Sequence, residues 1–291
     1  MRREPVVHSE ESRNNHQQLP WAHLRLPPFP QVALRVLQLV RSEHVPLHVL
    51  ADLIGSDPAF ASELLTVANS ALYAPRFPAS GILQAIAVLG ANHLQGMCIA
   101  VGARAYLGRS LRYPALRRVW QHNLACAVIA RELAAATTVD ADDAYTAGIL
   151  HDVGRFALAS LQTVEYAHLL DQHQGNSASL LDEERRLFGW DHCEAGQRLI
   201  AGWSLPAEFD AVTRDHHSAP CGPEQWDLGR LIHASCRLAD ALGFTAFAGC
   251  AAEPVAEILG GLPETQEGRA LWDADALSRA VSHCIHTLEC A

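Results

Sequence analysis

The dipeptide His151-Asp152 lies in the sequence GILHDVG, within a segment (143–160) that is apolar on nearly all sides. Such a pattern is typical of a buried helix, so we expect a central helix with the dipeptide in its middle. An ionised aspartate is costly to bury unless it is paired or binds a cation. Imidazole and carboxylate together suit zinc, iron, manganese and similar ions, so the dipeptide predicts a metal-binding position.

Further histidines and one aspartate lie on or beside apolar faces of other predicted helices: His122, His192, His216, His217 and Asp240. With His151 and Asp152 they make five histidines and two aspartates on five helices. Seven such ligands are enough for two octahedral ions that share Asp152, with water in the open positions. The sequence therefore predicts one or two divalent metal ions, with iron, manganese, zinc and nickel as candidates.

Each residue also has an ordinary structural alternative. A histidine such as His122 on an apolar stripe can donate a hydrogen bond to a backbone carbonyl inside the core. His216 and His217 can lie in water at the end of a helix, where the dipole favours them. Asp240 can pair with Arg237 one turn back. Histidines in polar or loop-like contexts, among them His173, are expected at the surface.

The elements that must position these residues all have helical periodicity. Asp57-Pro58 predicts a helix start, as does Asp191 followed three residues later by Glu194. We find no strand pattern, so the predicted fold class is all-α, with about ten helices. The domains predicted are a flexible tail (1–18), an N-terminal helical lobe (19–110), a second helical lobe (111–250) packed against it, and a C-terminal helical extension (251–291).

Composition excludes several functions. The 291 residues carry a net charge of −10, and all 22 basic residues are arginine. The absence of lysine excludes Schiff-base chemistry and a P-loop, and the acidic balance argues against nucleic-acid binding. The eight cysteines include no CxxC pair and are expected to be reduced, acting as small hydrophobic side chains. No signal peptide or membrane span is predicted, which favours a cytoplasmic location.

The order His122, His151-Asp152, His192, His216-His217, Asp240 resembles that of the HD superfamily of metal-dependent phosphohydrolases. More narrowly, the chain resembles the HDOD family over about 19–245. The stretches that carry the resemblance are LPPFPQVALRVLQL (26–39), SDPAFASELLTVANSALY (56–73), AIAVLG (85–90), LHDVG (150–154), FGWDHCEAGQRLIAGWSLP (188–206) and DHHSAP (215–220).

The resemblance implies a ligand set. His122, His151 and Asp240 would hold a first ion, the second ion would be held by His192, His216 and His217, and Asp152 would bridge them. The related HD-GYP phosphodiesterases of cyclic di-GMP carry HDxGK and a GYP segment. Here Arg155 stands at the lysine position, and the chain continues as Ser-Ala-Pro-Cys-Gly-Pro (218–223). Metal ligands therefore look retained and substrate-binding residues lost; if the chain is active, Asp152 and Arg155 are the candidate catalytic residues.

The resemblance also implies a function. HDOD modules are helical output domains of bacterial signalling proteins, associated with cyclic di-GMP circuits, motility and stress. We therefore expect a regulatory protein that contacts other signalling proteins and can form homo-oligomers. The alternative is a metal-dependent phosphohydrolase acting on a nucleotide or a cyclic dinucleotide. The missing GYP segment favours the regulatory protein.

Overall fold

The computed structural model describes residues 29–41, 45–70, 73, 75–174, 176–218, 226–262 and 272–290. These residues form helices and no strand, which confirms the all-α prediction. The helices are α1 (Gln31–Val40), α2 (Leu47–Gly55), α3 (Pro58–Ala68), α4 (Ile82–Leu89), α5 (Ala91–Leu107), α6 (Pro114–Ala134), α7 (Ala141–Leu150), α8 (Val153–Leu161), α9 (Thr163–Gln172), α10 (Ser177–Phe188), α11 (His192–Gly202), α12 (Ala207–Asp215), α13 (Leu228–Ala241), α14 (Val255–Gly260) and α15 (Ala274–Cys290).

The first five helices lie within the range predicted for the N-terminal lobe. The carboxylate of Asp57 accepts hydrogen bonds from the backbone N–H groups of Ala59 and Phe60, both at 3.1 Å, so the predicted start of α3 is confirmed. The side chain of Asn69 then ties the end of α3 to the backbone of Ala79. The predicted tail (1–18) and the start of this lobe (19–28) lie outside the described residues.

Helices α4 and α5 meet at Gly90, whose φ of 81° is a conformation that favours glycine. Among the described helices, none is by itself long and apolar enough to cross a membrane. The segments 82–89 and 93–112 reach the required length and apolar character only when they are counted together, and they meet at a bend of 115°.

Helix α6 lies at the centre of the second lobe and is buried along most of its length. It packs against α7, α13 and α15, while α5 of the N-terminal lobe packs against α7. Helix α11 packs against α8 and α12. The boundaries drawn at 110 and 250 stay predictions.

Several predictions about the helices were wrong. The described residues hold fifteen α-helices rather than about ten, because α9, α10 and the short α14 were not recognised. The single helix expected over 143–160 is two helices, α7 and α8, separated at His151 and Asp152. His173, expected at the surface, is only 5% exposed and packs against Phe247.

Candidate metal centre

The break between α7 and α8 places the dipeptide at a helix junction. His151 is the last residue with α-helical backbone angles, and Asp152 has φ −104° and ψ 14°. That conformation is sparsely populated and common in active sites. Both side chains are 1% exposed. The chain therefore turns at the two residues for which the sequence predicted metal binding.

Two glycines bring the neighbouring helices close to this junction. A β-carbon on Gly148 would lie 2.4 Å from the Cα atom of Ala127 in α6. A β-carbon on Gly154 would lie 1.8 Å from the backbone oxygen of His192 in α11. Because neither position has room for a side chain, α6 and α11 approach the junction closely enough for their histidines to reach it.

Asp152 and three histidines come together at the junction, and we call Asp152, His192, His216 and His217 the histidine centre. The Oδ1 atom of Asp152 lies 3.2 Å from Nε2 of His192 and 3.2 Å from Nε2 of His216. The Nε2 atoms of His192 and His217 are 2.9 Å apart. A metal ion suits such a set, because it is held by several Nε2 lone pairs and one carboxylate oxygen at once.

The outer ring nitrogens of this centre have partners that fix the ring orientations. Nδ1 of His192 lies 2.6 Å from the carboxylate of Glu184, and Nδ1 of His216 lies 3.0 Å from the backbone oxygen of Thr213. In a neutral ring with Nδ1–H donating outward, the lone pair of Nε2 faces inward. Histidines that bind metal ions almost always show this arrangement.

The protonation equilibria of these rings differ. Burial lowers the pKa of His217, and the neighbouring His216 and His192 lower it further, so its ring is neutral and able to bind a cation. Burial also lowers the pKa of His216. For His192, burial and Arg155 oppose the charged form, but Glu184, Cys193 and Asp152 together outweigh them and raise its pKa.

A buried arginine holds the other oxygen of Asp152. Arg155 is 1% exposed, and its Nε donates to Oδ2 of Asp152 at 2.6 Å. Its Nη1 donates to Glu184 at 3.2 Å, and the hydroxyl of Tyr166 donates to the same Glu184 oxygen at 2.6 Å. Burial disfavours the charged form of Asp152. The nearby positive charges of Arg155 and His192 outweigh the effect of burial and hold the pKa of that carboxyl well below its usual range.

His122 and His151 lie beside the histidine centre, next to two cysteines. Nδ1 of His122 is 2.7 Å from the backbone oxygen of Phe244, and its Nε2 is 3.4 Å from Sγ of Cys126. The core hydrogen bond considered for His122 thus exists, and it leaves the inner nitrogen facing Cys126. We call His122, Cys126, His151 and Cys236 the cysteine cluster; their ligand atoms all lie within 4.8 Å of one another.

Asp240 lies on the outer side of His122. Its Oδ1 atom is 3.4 Å from Nδ1 of His122. The other ring nitrogen of His122, Nε2, is the one that faces the cysteines. The ion pair considered between Asp240 and Arg237 is replaced by one between Arg237 and Glu253. A ligand role for Asp240 stays a prediction. The other six predicted ligands all belong to groups whose donor atoms could share an ion.

A cavity of about 390 Å³ opens onto the site. Its wall includes Asp152, Arg155 and His217, and it also includes His233 and Phe247. His233 is half-buried, and its Nδ1 lies 2.9 Å from the backbone oxygen of His216. The cavity is at the lower end of the size range of small-molecule sites, so a small ligand can reach the histidine centre.

Sequence reasoning missed Glu184, Cys126 and Cys236. Glu184 is fully buried and lies in α10 midway between Leu180 and Phe188, at steps of four residues. A carboxylate on the apolar face of a helix is a signal that could have identified it. The cysteines lie one turn from predicted ligands: Cys126 follows His122 by four residues, and Cys236 precedes Asp240 by four.

A model of the HDOD domain matches residues 26–219. The chain belongs to the HDOD family. The match includes the junction and all the histidines of the histidine centre. It ends before α13, so Cys236 and Asp240 of this HDOD protein lie outside the matched region.

One curated protein is similar to this chain in sequence. An uncharacterised protein from Treponema pallidum (strain Nichols) is 28% identical over 207 residues, which are 69% of this chain and 39% of that protein. This chain therefore spans well under half the length of that relative.

Three solved structures have similar folds. A proposed signal transduction protein from Marinobacter aquaeolei VT8 has a TM-score of 0.69 and 22% identity, over 91% of this chain and 60% of that one. An HDOD domain protein of unknown function from Geobacter sulfurreducens has a TM-score of 0.67 and 23% identity, over 89% of this chain and 93% of that one. A proposed metal-dependent phosphohydrolase from Shewanella amazonensis SB2B has a TM-score of 0.63 and 20% identity, over 91% of this chain and 93% of that one. At these identities the similarity shows the fold.

Proposed function

We propose that this HDOD protein is a bacterial cytoplasmic regulator that acts through contact with other signalling proteins and binds one divalent metal ion at the histidine centre. The observation that carries the proposal is the 2.6 Å bond from buried Arg155 to Oδ2 of Asp152. A carboxylate shared between two catalytic ions offers an oxygen to each ion. Here a guanidinium holds one of the two oxygens, and its charge repels a cation on that side.

The metal would serve to hold helices together. Asp152 lies at the junction of α7 and α8, His192 begins α11, and His216 and His217 follow α12. An ion bound by these residues adds its binding free energy to the packing of those helices. Whether the ion is bound can therefore change how these helices pack, and with it the surface that they present to a partner protein.

The pathway follows from the family rather than from the site. We place the protein in a second-messenger, motility or stress circuit, with cyclic di-GMP signalling as the leading case. The similarity of fold to a proposed signal transduction protein supports this placement.

The second candidate function is a metal-dependent phosphohydrolase acting on a nucleotide or cyclic dinucleotide. The cavity of about 390 Å³ beside Asp152 and His217 favours it, because a phosphate could reach a bound ion there. A metal-bound water would supply the nucleophile in that case.

The experiment compares metal binding with turnover. The purified protein is stripped, reloaded with manganese, iron or zinc, and tested for hydrolysis of cyclic di-GMP and a generic phosphodiester. We expect bound metal in the wild type, weaker metal binding in Asp152→Asn, and no turnover in either protein. Metal-dependent hydrolysis that is lost in Asp152→Asn would replace the regulatory proposal with the phosphohydrolase.

A second experiment tests the protein contact. A tagged chain is purified from its own host under native conditions, as the wild type and as His192→Ala/His217→Ala. We expect a stoichiometric partner with the wild type, confirmed by direct binding of the two purified proteins and weakened in the variant. Absence of direct binding contradicts the proposal.

A further inference from the structure

The cysteine cluster has the residue types and the spacing of a tetrahedral metal site. Sγ of Cys126 is 3.6 Å from Sγ of Cys236 and 3.4 Å from Nε2 of His122. Two thiolates about 2.3 Å from a zinc ion lie about 3.8 Å apart at the tetrahedral angle, and a thiolate and an imidazole nitrogen lie about 3.5 Å apart. The observed separations agree with both values.

The two histidines of the cluster direct their inner ring nitrogens into this space. Nδ1 of His122 donates to the backbone oxygen of Phe244, and Nδ1 of His151 donates to that of Gly148 at 2.8 Å. The inner nitrogen of His151 is buried and has no hydrogen-bond partner. An unpaired buried nitrogen is costly, and a metal ion would satisfy it.

We propose that His122, Cys126, His151 and Cys236 bind a zinc ion in a closed, four-coordinate site. Thiolate ligands select zinc over magnesium, calcium and manganese. Binding releases the protons that the four ligands carry, and two thiolates with one Zn²⁺ leave no net charge in the core. His151 is assigned to this site because its donor atom lies within 4.8 Å of those of His122, Cys126 and Cys236, and its other neighbours within that distance are Asp152 and His216 of the histidine centre.

A closed site of this kind is structural. His122 and Cys126 lie on α6, His151 at the α7–α8 junction, and Cys236 on α13. The zinc ion would connect three elements that already pack together, and it would leave no open position for substrate. It also differs from the ligand set expected from the resemblance, because thiolates take the places of Asp240 and Asp152.

The inference is separate from the proposed function, which places its ion at the histidine centre. The first test is zinc K-edge absorption on wild-type protein purified with reductant and without chelator. We expect sulfur scatterers at about 2.3 Å from zinc. Zinc with only nitrogen and oxygen neighbours, no zinc at all, or a disulfide between Cys126 and Cys236 would overturn the proposal.

Variants then assign the site. We expect Cys126→Ala/Cys236→Ala to lose one equivalent of zinc and the thiolate-to-cobalt charge-transfer band of cobalt-substituted protein. Cys98→Ala, at a cysteine outside the cluster that is as buried as Cys126, should keep both. His192→Ala/His217→Ala should also keep the band and lose only the other ion. A band that survives removal of both cysteines contradicts the proposal, whatever the histidine centre binds.

Discussion

Removal of the Arg155 guanidinium should expose how strongly the metal-free histidine centre depends on it. In Arg155→Leu, the buried carboxylates of Asp152 and Glu184 lose hydrogen bonds of 2.6 Å and 3.2 Å. Each hydrogen bond to a charged group contributes about 1.5–3 kcal/mol, and breaking a buried ion pair costs about 3–5 kcal/mol. We therefore expect the metal-free variant to lose about 3–5 kcal/mol of unfolding free energy, a large share of a typical total.

The assay is urea unfolding with and without divalent metal. A cation at Asp152 replaces the lost positive charge, so saturating metal should stabilise Arg155→Leu more than it stabilises the wild type. Arg279→Leu is the control, because the Arg279 side chain is 71% exposed and its ion pair is long. A metal-free Arg155→Leu protein as stable as the wild type would refute the reasoning.

Three further predictions concern neighbouring features. Glu184→Gln should weaken metal binding at the histidine centre about 10-fold or more, measured by calorimetry, because His192 loses the carboxylate that orients it. Gly154→Ala should lower the unfolding free energy by about 1–3 kcal/mol or more, since its β-carbon would meet the backbone of α11. Burial and the nearby Asp140 raise the pKa of Asp142 to about 7, so its ionisation opposes folding as the pH rises from about 4 through 7. Asp142→Asn should therefore reduce the loss of stability between pH 5 and pH 8, measured by urea unfolding.

Matched controls separate these effects from general disruption. Glu183→Gln changes the neighbouring, partly exposed carboxylate and should leave metal affinity unchanged. Gly202→Ala adds a β-carbon where no atom lies within 4 Å and should be tolerated. Equal losses of metal affinity in Glu183→Gln and Glu184→Gln would contradict the role given to Glu184. Equal losses of unfolding free energy in the two glycine variants would contradict the close approach at Gly154. An Asp142→Asn protein with the pH profile of the wild type would contradict the role given to Asp142.

Helical periodicity and cap residues were enough to predict the fold class. Asp57 and Asp191 begin helices as expected, because a cap depends on residues within one turn. The break at Asp152 could not be predicted in this way. The segment around it is uniformly apolar, and the turn depends on α6 and α11, which approach at Gly148 and Gly154.

The candidate site was predicted only where residue type alone was informative. Histidine and aspartate on apolar faces pointed to the histidine centre. The roles of Glu184 and Cys236 depend on partners distant in the chain: Cys236 meets Cys126 across 110 residues. A single sequence carries no record of such a contact, so these residues were interpreted as ordinary helical positions.

Anomalous diffraction from crystals of the metal-loaded protein tests directly whether the histidine centre binds a metal ion. Data collected on both sides of the absorption edge of the loaded metal locate each ion and identify its element. We expect a peak bounded by Oδ1 of Asp152 and the Nε2 atoms of His192, His216 and His217. A map without a peak at that position, from protein shown to be properly folded and fully loaded, would contradict this expectation.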